Sequence, residues 1–176
     1  ANSDEFNTLS MAQKKSINNS LRDFRLFGVA LNDDKKTQFA KLSKQLSEIT
    51  SQFGDQVMDA TDAWSLLITD ATQLSGLPDS ALSLAKQAAE SQGKEGYLLT
   101  LDAPSYMPVM VHCENRSLRK QLSMAMTTRA SDKGPQAGQF DNSQLMVQIL
   151  NLRKELAQLL SFSNFAEQSL ATKMAD

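Results

Sequence analysis

The chain has 176 residues, 18 Lys or Arg against 20 Asp or Glu, a net charge of −2, and 41% hydrophobic residues. A chain of this length buries roughly two-thirds of its extended surface on folding, so one domain or one large lobe with a true core is expected. The charge supplies no positive field for a phosphate backbone, and no apolar run approaches the roughly 18 residues of a membrane span, which argues against nucleic acid and membrane partners. The single cysteine, Cys113, permits no internal disulfide, and no basic-then-apolar leader is visible, so the cytoplasm is the expected compartment.

In chain order, Ser10 and Gln13 have capping-box spacing, and Ile17, Leu21 and Phe24 then share one helical face before Gly28 supplies a stop. The next helix opens at Asn32 or Asp33 and carries Phe39, Leu42, Leu46, Ile49, Phe53 and Val57 at steps of three and four. It should be the longest, and the short connection from Gly28 to Asn32 suggests antiparallel pairing of the two. The texture changes at Ala63. Trp64 to Thr69 and Tyr97 to Leu101 are short apolar runs with extended-structure preference, and a helical stretch from about Pro78 to Ser91 lies between them. Two such strands are expected to pair as a small ribbon.

Beyond Pro104 the pattern is helical. Ser105 is the expected cap of a short helix with Pro108 in its first turn, and Asn115 that of another with Leu118, Leu122 and Met126 inward. Residues 131–141, with two glycines and a proline, form the clearest loop. Asp141 and Gln144 repeat the cap spacing ahead of Leu145, Ile149, Leu152, Leu156 and Leu160. Ser163 is the expected cap of a last helix with Ala166, Leu170 and Met174 on one side.

Few residues suggest chemistry. His112 and Cys113 are adjacent, but helical neighbours point about 100° apart, so the imidazole cannot easily serve the thiol as a base; packing is the simpler reading. Asp55, Asp59 and Asp62 place carboxylates on adjoining turns, where a solvated face is expected rather than acid/base work. Met107, Met110, Met124, Met126, Met146 and Met174 sit mostly at core spacing and read as core filler before they read as a binding groove. Arg119, Arg129 and Arg153 lie on or beside apolar helix faces, where structural ion pairs are the expected use.

Several stretches carry a resemblance: Asn19 to Phe24, Ser47 to Phe53, Gly96 to Leu101, Pro104 to Met110, Thr128 to Asp132, and Leu152 to Ala175. Their order and spacing resemble the oligopeptidase A and thimet oligopeptidase family of zinc metallopeptidases over essentially the whole chain. One departure is Ser161, where that family usually has glycine after the paired leucines; a bend built differently there is expected. The resemblance implies a mostly helical, two-lobed enzyme with a deep channel that admits short peptides and excludes folded proteins. It also implies zinc on an H-E-x-x-H helix whose glutamate acts as general base. This chain has one histidine, so no catalytic, cofactor-binding or metal residue is carried over to it.

The expected fold is therefore mainly α, an antiparallel multi-helix lobe with one small two-stranded β ribbon. Its divisions are a long helical hairpin over 1–62, a ribbon with intervening helix over 63–104, and a helical segment over 105–176. The expected role is that of an internal, N-terminal-lobe piece of a cytoplasmic zinc metallo-oligopeptidase: scaffold and channel wall, inactive alone. The remainder of the parent chain and short peptides are its partners, an exposed apolar patch marks where that remainder packs, and self-association masks it otherwise. The competing expectation is a self-contained helical module that binds a peptide or partner helix. An independent thiol enzyme using Cys113 is the third.

Overall fold

The structure is a computed structural model describing residues 4–174. It divides into two compact units, one of residues up to Thr50 with those from Val147, the other of Ser51–Met146.

The first unit holds α1 (Asp4–Thr8), α2 (Met11–Leu26), the first part of α3 (Asp33–Asp62), the greater part of α7 (Ser143–Leu159) and α8 (Phe165–Leu170). The capping box at α2 forms as expected. Ser10 Oγ accepts from the Gln13 N–H at 3.3 Å, and Gln13 Oε1 accepts from the Ser10 N–H at 3.0 Å. Gly28, at φ +79°, ends the helix, with the Val29 N–H bonded to the Phe24 carbonyl and the Gly28 N–H to that of Arg25. The stripe on α2 is less covered than its pattern implies. No residue of α2 is buried, and Phe24 is 58% exposed.

At 30 residues α3 is the longest element. Asn32 caps it by accepting the Lys35 N–H at 3.0 Å, and Asp33 and Asp34 complement the positive end of the helix dipole. Leu42 is buried on α3, and Ile149, Leu156 and Ala157 on α7.

Two expectations fail near the C-terminus. Asn164, not Ser163, caps α8: its Oδ1 accepts from the Glu167 N–H at 3.0 Å, while the Ser163 N–H donates to the Glu167 carboxylate. Both residue types cap well, so spacing alone did not separate them. Nor do Ala166, Leu170 and Met174 form a buried side, since all three are exposed and Met174 lies beyond the helix. Ser161 corrects a third expectation. It takes φ +68°, with the Phe162 N–H on the Ala157 carbonyl and the Ser161 N–H on that of Gln158, so the left-handed stop is built in the usual way without glycine. Ala175, the last residue of the resembling stretch, lies outside the described residues.

The second unit carries the denser core. β1 (Ser65–Ile68) and β2 (Tyr97–Thr100) pair antiparallel, Ser65 opposite Thr100 and Ile68 opposite Tyr97. α4 (Asp79–Ser91) packs on β2, α5 (Ala103–His112) packs on both, and α6 (Arg116–Thr128) packs on α5. Trp64, Ile68, Leu74, Leu99, Val109 and Leu122 are among the buried residues that meet in this core. Leu74 arrives on a 3-10 turn, Ala71–Leu74, that no periodicity announced; Asp70 caps it by accepting the Thr72 N–H at 2.9 Å.

The start of α5 also differs from expectation. Asp102 precedes the helix, Pro104 occupies its first turn, and Pro108 lies inside it, where its missing N–H removes one helical hydrogen bond. Ser105 is not the cap: its hydroxyl accepts the Thr100 N–H at 3.0 Å, tying the end of β2 to the helix that follows. Asn115 caps α6 as expected, accepting from the Ser117 and Leu118 N–H groups. Leu118, Leu122 and Ala125 are buried there and Met126 packs against them. Ala130, just past α6, takes a left-handed φ of +53°. The residue immediately before α7 is Asn142 rather than Asp141. Asp141 serves the entry differently, accepting from both the Ser143 N–H and hydroxyl. Asn142 is 1% exposed, and its Nδ2 donates to the Phe53 carbonyl of α3 at 3.1 Å, an anchor across 89 positions of sequence.

Candidate functional site

His112 and Cys113 separate as helical geometry requires. His112 is the exposed last residue of α5, whereas Cys113 is 2% exposed and its thiol donates to the Gln73 carbonyl at 3.5 Å. The Cys113 carbonyl in turn accepts from Arg119 Nη1, so this corner is knit by backbone acceptors and side-chain donors. A thiol so enclosed meets no substrate. Asp55, Asp59 and Asp62 are all exposed on α3.

The arginines depart from expectation. None of the three makes an ion pair among the described residues. Arg119 uses the Cys113 carbonyl, Arg129 the Met126 carbonyl at 3.0 Å and the Met126 sulfur, and Arg153 stacks 5.0 Å from the centre of the Phe165 ring. Each guanidinium therefore pins a helix end or a loop start. The methionines depart too. Met110 and Met126 pack against the core, but Met107, Met124, Met146 and Met174 are exposed, so core filler describes two of the six. Helical spacing identifies a face without saying whether anything covers it.

A second apolar face on α7 went unremarked in the sequence. Leu145, Ile149 and Leu156 point inward, while Met146, Val147 and Leu150 are 45%, 54% and 64% exposed. Phe24, Phe27 and Val29 are also exposed beside the end of α2; these and Val147 and Leu150 belong to the first unit, Met146 to the second. The signal was available: α7 reads Leu-Met-Val from 145 to 147, apolar on more than one side.

Two concavities are of similar size. In the second unit an apolar pocket of about 430 Å3 lies between α4, β2 and the start of α5, floored by Leu84, Ala85 and Leu98 and rimmed by Thr100, Asp102 and Ser105. In the first unit α3 and α7 border a groove of about 450 Å3. The Thr72 hydroxyl and N–H hold Asp70, and the Ser143 hydroxyl and N–H hold Asp141, below the usual carboxylate range. Both serve turns.

Zinc, which the family resemblance implies for the parent protein, needs three protein ligands and a water. The residues here do not fit it. Among the described residues no three His, Cys, Asp or Glu side chains come together to hold a metal ion, and the one histidine stands alone at a helix end. No described helix is long and apolar enough to cross a membrane.

Comparison with known proteins gives these elements a frame. Residues 109–176 match the profile of peptidase family M3. The chain is 53% identical to "Oligopeptidase A" of Salmonella typhimurium over 173 residues, covering 98% of the chain and 25% of that relative. It is 43% identical to "Probable cytosolic oligopeptidase A" of Arabidopsis thaliana, over 98% of the chain and 25% of the relative. Against the "Organellar oligopeptidase A, chloroplastic/mitochondrial" of the same plant it is 41% identical, over 98% of the chain and 22% of the relative. The chain thus spans about a quarter of the length of the curated relatives it matches. With that identity running through both compact units and the family profile covering α6, α7 and α8, this chain belongs to peptidase family M3.

Proposed function

We propose that this chain is the scaffold and part of the substrate-channel wall of a zinc metallo-oligopeptidase that hydrolyses short peptides in the cytoplasm. The observation that carries the reading is 53% identity to an oligopeptidase A along 98% of the chain. Zinc and its glutamate base belong, on this reading, to residues outside these 176, because the chain's own donors cannot form the site. Its role is then to shape and restrict access, and its principal partner is the catalytic remainder of the same protein. The uncovered side chains Met146, Val147 and Leu150 of α7 support that partnership, since such a face costs little only when another surface covers it. Without the remainder, the same face would drive self-association.

Two measurements test this. Sequencing the gene beyond the codon for Asp176 should reveal an H-E-x-x-H motif within the following few hundred residues; a stop codon in its place would sink the proposal and favour a self-contained helical interaction module. Assayed alone on fluorogenic peptides with zinc added, the 176-residue chain should show no cleavage. Zinc-dependent turnover by the chain itself would refute the scaffold assignment.

A further inference from the structure

The groove between α3 and α7 has an unusual lining. Gln45 on α3 and Gln148 and Asn151 on α7 present side-chain amides, and none of the three makes a side-chain hydrogen bond among the described residues. Ile49 and Leu152, half-buried, form an apolar floor. Glu48 and Glu155 face the same groove; Glu155 has no ion-pair partner among the described residues, and Glu48 has only the exposed Lys44 at 3.8 Å. A second cleft of about 210 Å3 shares Glu155 and continues alongside Gln38 and Gln158 to Lys35. From Lys35 to Ile49 the helix rises about 21 Å at 1.5 Å per residue, the length of roughly six residues of extended chain at 3.3 Å each.

Each amide offers two donors and one acceptor, which matches the alternating C=O and N–H of an extended backbone whatever its sequence. Carboxylates at Glu48 and Glu155 make the middle of the groove negative, offset by the exposed Lys44 beside Glu48 and by Lys35 at one end. We propose that the α3–α7 groove binds short extended peptides through their backbone and favours those carrying positive charge, an α-amino group or a basic side chain, beside Glu48 and Glu155. This deepens the channel-wall reading, on which it rests, by naming the residues of the wall that meet the peptide.

The test is an NMR titration of the isotope-labelled 176-residue chain with Lys-Ala-Ser-Ala-Ser-Ala-Lys and with Glu-Ala-Ser-Ala-Ser-Ala-Glu. The basic peptide should shift the side-chain amide signals of Gln148 and Asn151 and bind several-fold tighter than the acidic one, with the difference shrinking in high salt. Glu155→Gln should narrow that preference. The double change Gln148→Ala with Asn151→Ala, at exposed positions that leave the circular dichroism unchanged, should weaken binding about tenfold. In the longer protein the same double change should raise KM for the basic peptide and leave kcat alone. The inference is overturned if neither peptide binds saturably, if the shifts fall instead on the Leu84–Ser105 pocket, or if the double variant binds like the parent. Zinc-dependent cleavage by the longer protein with an unchanged KM in the double variant would remove the groove and keep the peptidase reading. Groove binding by the chain, with no peptidase activity in the longer protein, would do the reverse.

Discussion

The two compact units make opposite use of the same sequence pattern. In the second, apolar residues at helical and strand spacing build a covered core, Leu99, Val109 and Leu122 being at most 2% exposed, although Met58, Met107 and Val111 stay outside it. In the first, the stripe on α2 has the same periodicity, yet Ile17 and Leu21 are 37% exposed and Phe24 more so. An amphipathic pattern states which face wants cover; only the rest of the structure supplies it. The difference teaches that the second unit builds a core of fully buried side chains, whereas the stripe on α2 in the first is left as surface suited to another partner.

The largest expected effect tests that contrast directly. Leu122→Ala should cost about 2–5 kcal/mol of unfolding free energy, because a wholly buried leucine leaves a cavity. Phe24→Ala, though the larger truncation, should cost less than about 1 kcal/mol, since its side chain is mostly in water already. Denaturant titration of both variants checks this, and equal losses would erase the distinction between the units.

Next in size is Asn142→Ala, which removes the donor to the Phe53 carbonyl from a buried position and should destabilise by about 1–3 kcal/mol. Thermal melts of this variant against Asp141→Ala measure the non-local anchor against a local turn contact; the anchor should be the greater loss.

A finer comparison uses the two non-glycine residues that are left-handed among the described residues, one in each unit. Ser161→Gly relieves backbone strain at an exposed helix stop and should stabilise by about 0.5–1 kcal/mol. Ala130→Gly relieves similar strain but removes a methyl from a residue only 6% exposed, a loss of about 0.8 kcal/mol, so its net effect should be close to zero. A gain at Ala130 larger than at Ser161 would show that burial is not what separates the two.

The smallest effect concerns pH. Asp141 and Asp70 have carboxyl pKa values lowered in the folded state, chiefly by the Ser143 and Thr72 hydroxyls and then by the N–H groups of the same residues. A lowered folded value means that the stability each contributes is present above the ordinary carboxylate pKa and is lost as pH falls through the folded value. Ser143→Ala and Thr72→Val should move the respective titrations upward. Carbon-detected NMR of the carboxyl signals reads this directly, and an unmoved midpoint would assign the shift to another cause.

Much of the architecture was legible because its causes are local. The Ser10–Gln13 box, the Gly28 stop, the Asn115 cap and the two short strands each depend on residues within a few positions of one another. What escaped the sequence depends on distant partners or on near-equivalent choices. Asn142 meets Phe53 from 89 residues away, and Asn164 competes with a neighbouring serine of similar capping strength. Pro108 entered the helix interior because α5 begins at Ala103, ahead of the serine that resembles a cap. For the candidate site, single residues gave little. His112 and the aspartates resolve into a helix end and a solvated face, Arg119 and Arg129 into backbone clamps and Arg153 into a ring contact, and the groove amides carry no motif at all. Family membership was legible because it rests on the order of many weak segments rather than on any one.

Cys113 has a practical consequence. It is the single thiol of the chain, enclosed in the core where α5 meets α6 and held on the Gln73 carbonyl. An alkylating reagent can reach it only when that core opens, so its labelling rate is a built-in stopwatch for opening of the second unit, readable by mass without any substitution.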